Sequence, residues 1–413
     1  KNVAKYFFRN NQSELTFREI TENSNEVCSL WFGLQADLDT EFNAVLKMKP
    51  KRTVYGAYID AMFAYAVGNG AVWCNASMAA MQADHHLHLK EERTLLPGPL
   101  NNFELGTTQA FMQLLNALKS SDWRYGKFNN CKQSQSGIDD VQLKFGFDWF
   151  YACKKQNHVS PYLVATVGTG KRDASTYVFE PKVGSKHNSF GVGLDADVAV
   201  YQGDNSTVTL LGDVKYRYVF GANGCRSFDL CKNGDWSRYL LVVQRGQLLD
   251  AKPGINIFTQ NVHITPGSTL DMWVAAHWKY KKINLELGYD LWWKQREKIA
   301  FNEQFPRSYG IFDIVGALMV PQTASMANIS QSVVGDNQAP SDTDFVELKE
   351  SDLSRNSAAH PTALSSTVYL ATSVSARLAN KLCIFGIGGQ YEFAHRIAAL
   401  QQWALWLKIN VTF

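Results

Sequence analysis

Apolar and polar side chains alternate with a period of two along much of this chain. The stretch DDVQLKFGFDWFY is apolar at every second residue, and the same alternation recurs in FGVGLDADVAV, LGDVKYRYVF, INLELGYDLWW and QQWALWLKINVTF. Side chains of a β-strand point alternately to opposite faces, so each run predicts a strand with one apolar and one polar face. Most of these runs are about twice as long as the commonest strand of a globular protein.

The same test over all 413 residues predicts fourteen strands and an all-β fold. Their approximate bounds are 53–66, 70–85, 102–118, 139–152, 157–170, 188–203, 206–221, 237–247, 254–264, 268–280, 282–297, 365–379, 381–394 and 400–413. The weakest alternation is in 254–264 and in 102–118, and the latter segment is also compatible with a helix. No amphipathic helix pattern of comparable length competes with these strands.

Short turns fix how two predicted hairpins pair. A two-residue turn at Lys281-Lys282 sets His277 opposite Glu286, which keeps polar residues facing polar residues. A second turn, at Asn380-Lys381, would set Arg377 beside Ile384. Both turns are expected at one end of the strands, and the long links near 171–187, 222–236 and 298–364 at the other end. An even strand count would place both termini at the same end.

So many long antiparallel strands predict a closed transmembrane β-barrel of about fourteen strands, with a range of 12–16. An open sheet would leave two exposed edges, and in hydrocarbon no water can satisfy the edge amides. A soluble β-sandwich or propeller is the alternative. In the barrel the polar faces line a wet interior, with these pore-lining residues: Asp60, Lys144, Asp148, Asp195, Asp197, Asp213, Lys215, Arg217, His277, Lys279, Glu286, Asp290, Arg377, Glu392 and Lys408.

Aromatic residues concentrate near the strand ends, as expected where lipid meets water. The predicted lipid-facing residues are Trp149, Tyr151, Tyr218, Trp278, Tyr280, Trp293, Tyr391, Trp403 and Phe413. No run of 18 apolar residues occurs, so a membrane-spanning helix is not expected. The net charge of +3 and the lack of a Lys/Arg tract argue against nucleic acid as a partner. The residues after Lys1 do not show the charged-then-apolar pattern of a signal peptide, so we expect either that a signal peptide has been removed or that the chain is cytosolic.

Candidate chemistry is sparse, and we predict no catalytic residue, metal site or cofactor. Cys225 and Cys231 lie in a turn-rich stretch, where they are either a disulfide or two free thiols. The stretch DHHLHLKEE places Asp84, His85, His86 and His88 together, which fits a metal site or, more simply, a solvated turn.

Charged groups of the polar faces also permit two chemical readings. His277 opposite Glu286 is the one candidate catalytic dyad, and with Lys279 nearby it is better explained as an ion network in the lumen. The carboxylates of the polar faces, such as Asp195 and Asp197, form either a cation-attracting patch or a set neutralised by neighbouring Lys and Arg.

The ending WLKINVTF resembles the C-terminal signature of bacterial outer-membrane β-barrels. That resemblance implies recognition of the last strand by the barrel-assembly machinery. Fourteen strands after some fifty residues resemble the long-chain fatty-acid transporter (FadL) type, which implies an N-terminal hatch and lateral release of hydrophobic cargo. The chain lacks the Asn-Pro-Ala motif of that hatch.

These observations predict an outer-membrane protein of a bacterium, monomeric or homotrimeric, in contact with membrane lipid. Residues 1–52 are expected as a plug or periplasmic lead-in, and 53–413 as the barrel with a long outer loop at 298–364. The expected function is a pore or transporter for passive passage of small solutes or hydrophobic compounds. The alternatives are a structural or adhesive surface barrel whose loops bind a partner, and a barrel hydrolase.

Overall fold

The computed structural model describes residues 7–8, 13–18, 26–32, 34, 40–93, 96–97, 114–150, 157–171, 174–306, 308–312, 345–378, 381–396 and 398–412. The strands, numbered in chain order, are β1 (Glu14–Arg18), β2 (Glu26–Cys28), β3 (Thr40–Glu41), β4 (Asn43–Met48), β5 (Lys51–Val67), β6 (Gly70–His86), β7 (Leu89–Arg93), β8 (Leu96–Pro97), β9 (Gln133–Ile138), β10 (Val141–Phe150), β11 (His158–Val167), β12 (Ser189–Gln202), β13 (Ser206–Val219), β14 (Ala222–Ser227), β15 (Asp229–Leu230), β16 (Leu241–Gln244), β17 (Gln247–Pro253), β18 (Thr259–Thr265), β19 (Gly267–Tyr280), β20 (Ile283–Lys294), β21 (Lys298–Phe301), β22 (Tyr309–Phe312), β23 (Phe345–Glu347), β24 (Leu353–Ser354), β25 (Ala363–Leu378), β26 (Lys381–Ala394) and β27 (Gln402–Thr412).

Helical structure is confined to short segments. They are Ser29–Phe32, Leu114–Ala117, Ser237–Tyr239, Gly254–Phe258, Glu350–Asp352 and Arg355–Ala358. Among the described residues no helix has the length and apolar character needed to cross a membrane.

One large antiparallel sheet, the main sheet, organises the molecule. Its strand order is β5-β6-β10-β11-β12-β13-β19-β20-β25-β26-β27, and β9 pairs with the far half of β6. Every pair in this series is antiparallel, and most of its strands have ten to seventeen residues. The predicted all-β antiparallel fold is confirmed. β9 and β10 are separated by only two residues and behave as one bent strand, so in the described part of the chain eleven strands cross the sheet, where the sequence predicted fourteen.

Two predicted strands, 237–247 and 254–264, are not part of the main sheet, for local reasons. The segment 237–247 forms a short helix and β16. In β16 the consecutive residues Val242 and Val243 are both fully buried, so both faces of the strand are covered and neither can face lipid. The segment 254–264 begins as the helix Gly254–Phe258, and its strand β18 pairs with β14 and β21. Only the end of 102–118 is described, and it is helical.

The two predicted hairpins differ in outcome. The turn at Lys281-Lys282 is confirmed, because His277 pairs with Glu286. The second turn is displaced by one residue: Leu378 pairs with Lys381, so the turn is 379–380 and Arg377 pairs with Leu382, not Ile384. Residues 379–380 lie outside the described part of the chain.

Link length separates the two ends of the main sheet. The short-turn end carries the links 68–69, 151–157, 203–205, 281–282 and 379–380. The long-link end carries the connections from β6 to β9, β11 to β12, β13 to β19 and β20 to β25. Since eleven strands cross, β5 begins at the long-link end and β27 finishes at the short-turn end. The N-terminal segment therefore joins the sheet at the end that carries the long links.

A second body, which we call the cap, packs at the long-link end. It comprises the described parts of 7–50, 114–130, 222–265 and 296–362, which share one hydrophobic core. Phe17 of β1 contacts Trp236, and Trp236 stacks on Phe128, with ring centroids 6.1 and 5.6 Å apart. Three segments distant in sequence are thereby held together, and each such aromatic pair contributes about 0.5–1.5 kcal/mol beyond its buried area.

On one face of the main sheet, glycines lie directly opposite aromatic residues of the next strand. The four pairs are Trp73–Gly146, Tyr162–Gly193, Gly288–Tyr369 and Gly388–Trp406. A Cβ on any of these glycines would lie 2.1–2.4 Å from the ring. The absence of that carbon allows each ring to lie flat on the sheet instead of projecting from it, so four bulky side chains do not fill the space above this face.

We expect Gly288→Ala to destabilise the protein by about 1–3 kcal/mol, because the new methyl group displaces the Tyr369 ring. That ring is held by two hydrogen bonds, a donation to Glu286 (2.6 Å) and an acceptance from Trp273 Nε1 (2.9 Å). The measurement is thermal unfolding followed by circular dichroism. Gly212→Ala is the matched control, since the nearest atom to its Cβ is 3.8 Å away. Equal melting temperatures for the two variants would contradict this role of the glycine.

Candidate functional site

Pairing register divides the main sheet into an apolar face and a polar face. On β13, Val214, Tyr216 and Tyr218 are 42–45% exposed, whereas the alternate residues Lys215 and Arg217 are partly enclosed. Several uncharged polar residues of the second face are nearly fully buried: Ser160, Thr166, Ser189, Thr269, Asn284 and Ser365. The sheet therefore curls with its polar face inward, and we call this the inner face.

Register places all fifteen residues predicted to line a pore on the inner face. Their contact with a solute stays a prediction. Of the residues predicted to face lipid, seven lie on the opposite, outer face: Trp149, Tyr218, Trp278, Tyr280, Trp293, Tyr391 and Trp403. Tyr151 and Phe413 lie outside the described residues. The outer rings form two groups, since Trp149, Trp278 and Tyr280 are near the short-turn end and the others near the long-link end.

Charges on the inner face are segregated by sign along the strands. One row perpendicular to the strands, nearer the long-link end, contains Lys144, Arg217 and Lys294. A second row, four residues further along each strand, contains Asp148, Asp195, Asp213, Asp290 and Glu392. The two rows, which we call the basic row and the acidic row, are about 13 Å apart along a strand. A solute moving along this face meets one sign of charge and then the other.

The charged groups are held against the wall by neighbouring side chains. The Tyr162 hydroxyl donates to both oxygens of Asp213, at 2.7 and 3.0 Å, and Lys144 Nζ lies 4.9 Å from the centre of the Tyr162 ring. Arg217 donates to Asp271 at 3.1 Å, and Lys215 Nζ is 3.8 Å from the same carboxylate. Such contacts fix each charge in position, as a selective lining requires.

His277 and Glu286, the candidate dyad, belong to one of these networks. Their side chains are 3.3 Å apart, and Tyr369 donates to the other carboxylate oxygen at 2.6 Å. The second imidazole nitrogen of His277 faces Asn284 Oδ1 at 3.4 Å. Both nitrogens and both carboxylate oxygens are thus engaged by polar groups of the wall. The hydroxyl among these described partners is that of Tyr369, and it donates to the carboxylate instead of facing the imidazole, which favours the ion-network interpretation.

A cavity of about 1060 Å³ lies where the inner face meets the cap. The sheet contributes Arg52, Trp292, Lys294, Glu392 and Gln402, and the cap contributes Phe128, Trp236, Arg238, Tyr239 and His360. Arg238 makes two 2.7 Å bonds to the buried Asp229. Burial opposes the charge of Arg238, but the paired carboxylate outweighs it and raises its pKa. This cavity, which we call the mouth, is large enough for a small solute.

Glu297 anchors the cap to the main sheet beside the mouth. Its side chain is 7% exposed and contacts Lys294 at 3.0 Å and Arg226 at 3.6 Å. It also accepts a hydrogen bond from the backbone N–H of His360 at 3.0 Å. Burial alone would raise the pKa of this carboxyl, but the two cations and the N–H lower it to about 2. One buried carboxylate therefore joins two long links to the end of β20.

For two clusters singled out by sequence, the described residues show neither a disulfide nor converging metal ligands. Cys225, in β14, and Cys231, after β15, are both free thiols, so the disulfide alternative is wrong and the free-thiol alternative holds. In DHHLHLKEE, Asp84 pairs with Lys132 at 2.7 Å and His86 faces the Asn130 carbonyl oxygen at 2.6 Å. His85 is buried against Phe179, so its ring stacks and does not converge with the other imidazoles.

Sequence reasoning missed four inner-face residues that complete the networks: His158, Tyr162, Asp271 and Tyr369. Asp271 could have been found, because the Lys281-Lys282 turn fixes its face through the alternation of β19. Tyr162 and Tyr369 could not have been found in this way. An aromatic residue at an inward position interrupts the alternation of polar and apolar residues, and the glycine that accommodates it lies on another strand. His158 begins a strand whose preceding residues do not alternate.

Glu297→Gln should lower the free energy of unfolding of the cap by about 3 kcal/mol at neutral pH, because it leaves two partly buried cations without their carboxylate. The lowered pKa of Glu297 means that its stabilisation is present above about pH 4.5 and is lost as the pH falls towards 2. The stability of the variant should therefore fall less steeply than that of the wild-type protein as the pH is lowered through this range. Near-ultraviolet circular dichroism during thermal unfolding, from about pH 6 to about pH 2.5, measures both effects. Glu350→Gln, which removes an exposed pair with Arg355, is the control with a change below about 1 kcal/mol.

Comparison with known proteins assigns the chain to no family and finds a distant structural similarity. No family model matches the chain, and no curated protein matches it. Among solved structures it is similar to the COG4313 outer membrane channel from Pseudomonas putida F1, at 8% sequence identity and a TM-score of 0.40, over 90% of this chain and 84% of that chain. A likeness at this level supports no conclusion about the function of this chain.

Proposed function

We propose that this chain is an outer-membrane β-barrel channel of a bacterium for small polar solutes. The observation that supports this proposal most directly is the division of one curled sheet of long strands into an apolar outer face and a charged inner face. On β27, Trp403, Leu405, Leu407 and Ile409 are 71–81% exposed, while Lys408 of the same strand lies on the inner face. An apolar surface of this extent is unfavourable in water and favourable in lipid.

Strand length agrees with a membrane span. A tilted strand needs about 9–11 residues to cross the hydrocarbon core. β10 and β11 have 10 residues each, and β12, β13 and β19 have 14 each. The two outer groups of aromatic rings lie near opposite strand ends, where the two lipid–water interfaces would be.

The inner face favours polar over hydrophobic cargo. The ionised side chains of the inner face need water or one another, so the space they enclose is wet. The rings of Trp73, Tyr162, Tyr369 and Trp406 lie flat on glycines and leave that space open. Transport of fatty-acid-like compounds, as in the long-chain fatty-acid transporter type, stays a prediction from the sequence, as do the homotrimer and recognition by the barrel-assembly machinery.

Orientation follows from the links. Bacterial barrels have short periplasmic turns and longer outer loops, so the short-turn end would face the periplasm and the cap the exterior. The described part of 14–50 then lies on the outer side with the cap, because β4 runs into β5 after Lys49-Pro50. In this orientation a periplasmic lead-in at 1–52 does not fit, and the segment instead borders the mouth. A solute would pass the mouth, which Lys294 of the basic row and Glu392 of the acidic row also line, and then the remaining charges of both rows.

A channel in lipid also requires that the sheet edges be satisfied. β5 and β27 have no second strand neighbour among the described residues. They run in the same direction, so a direct junction would be parallel, whereas an antiparallel closure needs one further strand between them. The two edges approach at the long-link end, since Arg52 and Gln402 line the same mouth. Either junction would close the sheet into a tube.

Closure predicts slow exchange of the edge amides in a bilayer. Hydrogen exchange of reconstituted protein, read by mass spectrometry, should show residues 55–65 and 403–411 protected to the same degree as β13, which is paired on both sides. The exposed turn residues 203–205 serve as the fast-exchanging reference. Rapid exchange of both edges in intact, folded protein would count against a closed tube.

Conductance tests the channel itself. Purified protein in planar bilayers should give stepwise currents, and the combined variant Asp195→Asn, Asp213→Asn, Asp290→Asn should reduce cation over anion permeability severalfold, because it removes most of the acidic row. The permeability ratio is obtained from reversal potentials under a salt gradient. Salt concentrations of ~0.1 M are used, because the charges of the lining are then not fully screened. Lys144→Gln is the matched variant of the basic row and should shift the ratio in the opposite direction.

A silent bilayer would instead favour the second candidate, a surface-binding protein. The cap is the observation in its support, since it is a folded body with its own aromatic core at the end that would face outward. In that case the barrel is an anchor. Folded protein that inserts into liposomes but never conducts, with either wild-type or variant lining, would overturn the channel proposal.

A further inference from the structure

A group of potential metal ligands lies on the inner face, where Asp195 belongs to the acidic row and His158 and Asp197 lie beside it. Asp195 and Asp197 are two residues apart on β12 and therefore share a face. His158 of β11 lies directly opposite Asp197 and diagonal to Asp195. One nitrogen or oxygen from each side chain can be chosen so that all three lie within 4.8 Å of one another.

The distances fit a small cation with imidazole and carboxylate ligands. His158 Nε2 is 3.1 Å from Asp195 Oδ1, and His158 Nδ1 is 3.6 Å from Asp197 Oδ2. Ligands about 2.0–2.2 Å from a tetrahedral ion are themselves about 3.3–3.6 Å apart. A modest rotation of the partly exposed imidazole would direct one nitrogen towards both carboxylates.

Charge also favours a cation here. Asp148 of β10 is diagonal to His158 on the other side, because Phe150 is the residue paired with His158. Three carboxylates thus surround one imidazole, and even a protonated His158 leaves an excess of negative charge. Lys144 and Lys215 are close to Tyr162 and Asp271 instead.

We propose that His158, Asp195 and Asp197 bind a divalent transition-metal ion such as Zn²⁺ on the wall of the bore. One imidazole with two carboxylates suits first-row divalent metals, whereas Ca²⁺ and Mg²⁺ prefer oxygen ligands alone. Water from the bore would fill the remaining coordination positions. Bound metal would neutralise part of the acidic row, so it would also lower cation permeability; only this second effect rests on the proposed channel function.

Metal binding by the full chain in detergent micelles tests the proposal without reference to transport. Thiols are first alkylated, because Cys74, Cys131, Cys225, Cys231 and Cys383 are free and would bind metal themselves. Titration with Co²⁺, followed by visible absorption and by displacement with Zn²⁺, should show one site that Asp197→Asn and His158→Ala weaken at least tenfold. Circular dichroism and the gel shift on heating verify that each variant is folded.

Two matched variants separate this site from others. Asp213→Asn removes a carboxylate of the acidic row that Tyr162 already holds, and His86→Ala removes an imidazole of the other histidine cluster. Neither should change the site lost in Asp197→Asn. Unchanged Co²⁺ binding in Asp197→Asn and His158→Ala, or the absence of any saturable site in folded protein, would overturn the proposal and would leave His158 as a polar neighbour of the two carboxylates. A silent bilayer with intact metal binding would refute only the channel.

Discussion

The structure depends on an antiparallel register that keeps the two faces distinct across the eleven described strands of the main sheet. A shift of one residue in any pair would turn that strand's charges towards the outer face, because side chains alternate with period two. The one irregularity in β12 lies between Ala199 and Tyr201, beyond Asp195 and Asp197 and near the short-turn end. The charged stretch of the strand therefore keeps its face, and the inner and outer surfaces remain continuous from β5 to β27.

Within that register, small residues and hydrogen bonds decide what the inner face can do. The glycines opposite Trp73, Tyr162, Tyr369 and Trp406 let large rings lie on the wall. The same rings then hold charges, as Tyr162 holds Asp213 and Tyr369 holds Glu286. Packing and electrostatics are thus linked: the ring that keeps the space open also fixes the carboxylate that borders it.

The cap joins segments that are far apart in sequence at the end where solutes would enter. Its aromatic core contains Phe17, Phe128 and Trp236, and the buried Glu297 ties it to the end of β20. The N-terminal segment, which sequence alone suggests as a plug or lead-in, contributes β1 and β4 to this body. Selection of solutes by size would then take place at the mouth, and selection by charge along the two rows beneath it.

Sequence by itself determined the strands, their faces and one hairpin register, because alternation is a local property that each strand carries alone. It placed Asp213, Lys215 and Arg217 on one face and Val214, Tyr216 and Tyr218 on the other. It assigned 237–247 and 254–264 to the barrel, whereas both segments pack within the cap, the first with the consecutive residues Val242 and Val243 buried. Tertiary structure alone decided which charges meet: the acidic row, the contact of Arg217 with Asp271 and the meeting of His158 with Asp195 and Asp197 all arise between strands. Pairing across strands depends on link lengths and on closely packed pairs such as Gly193 and Tyr162, and neither leaves a periodic signal in one strand.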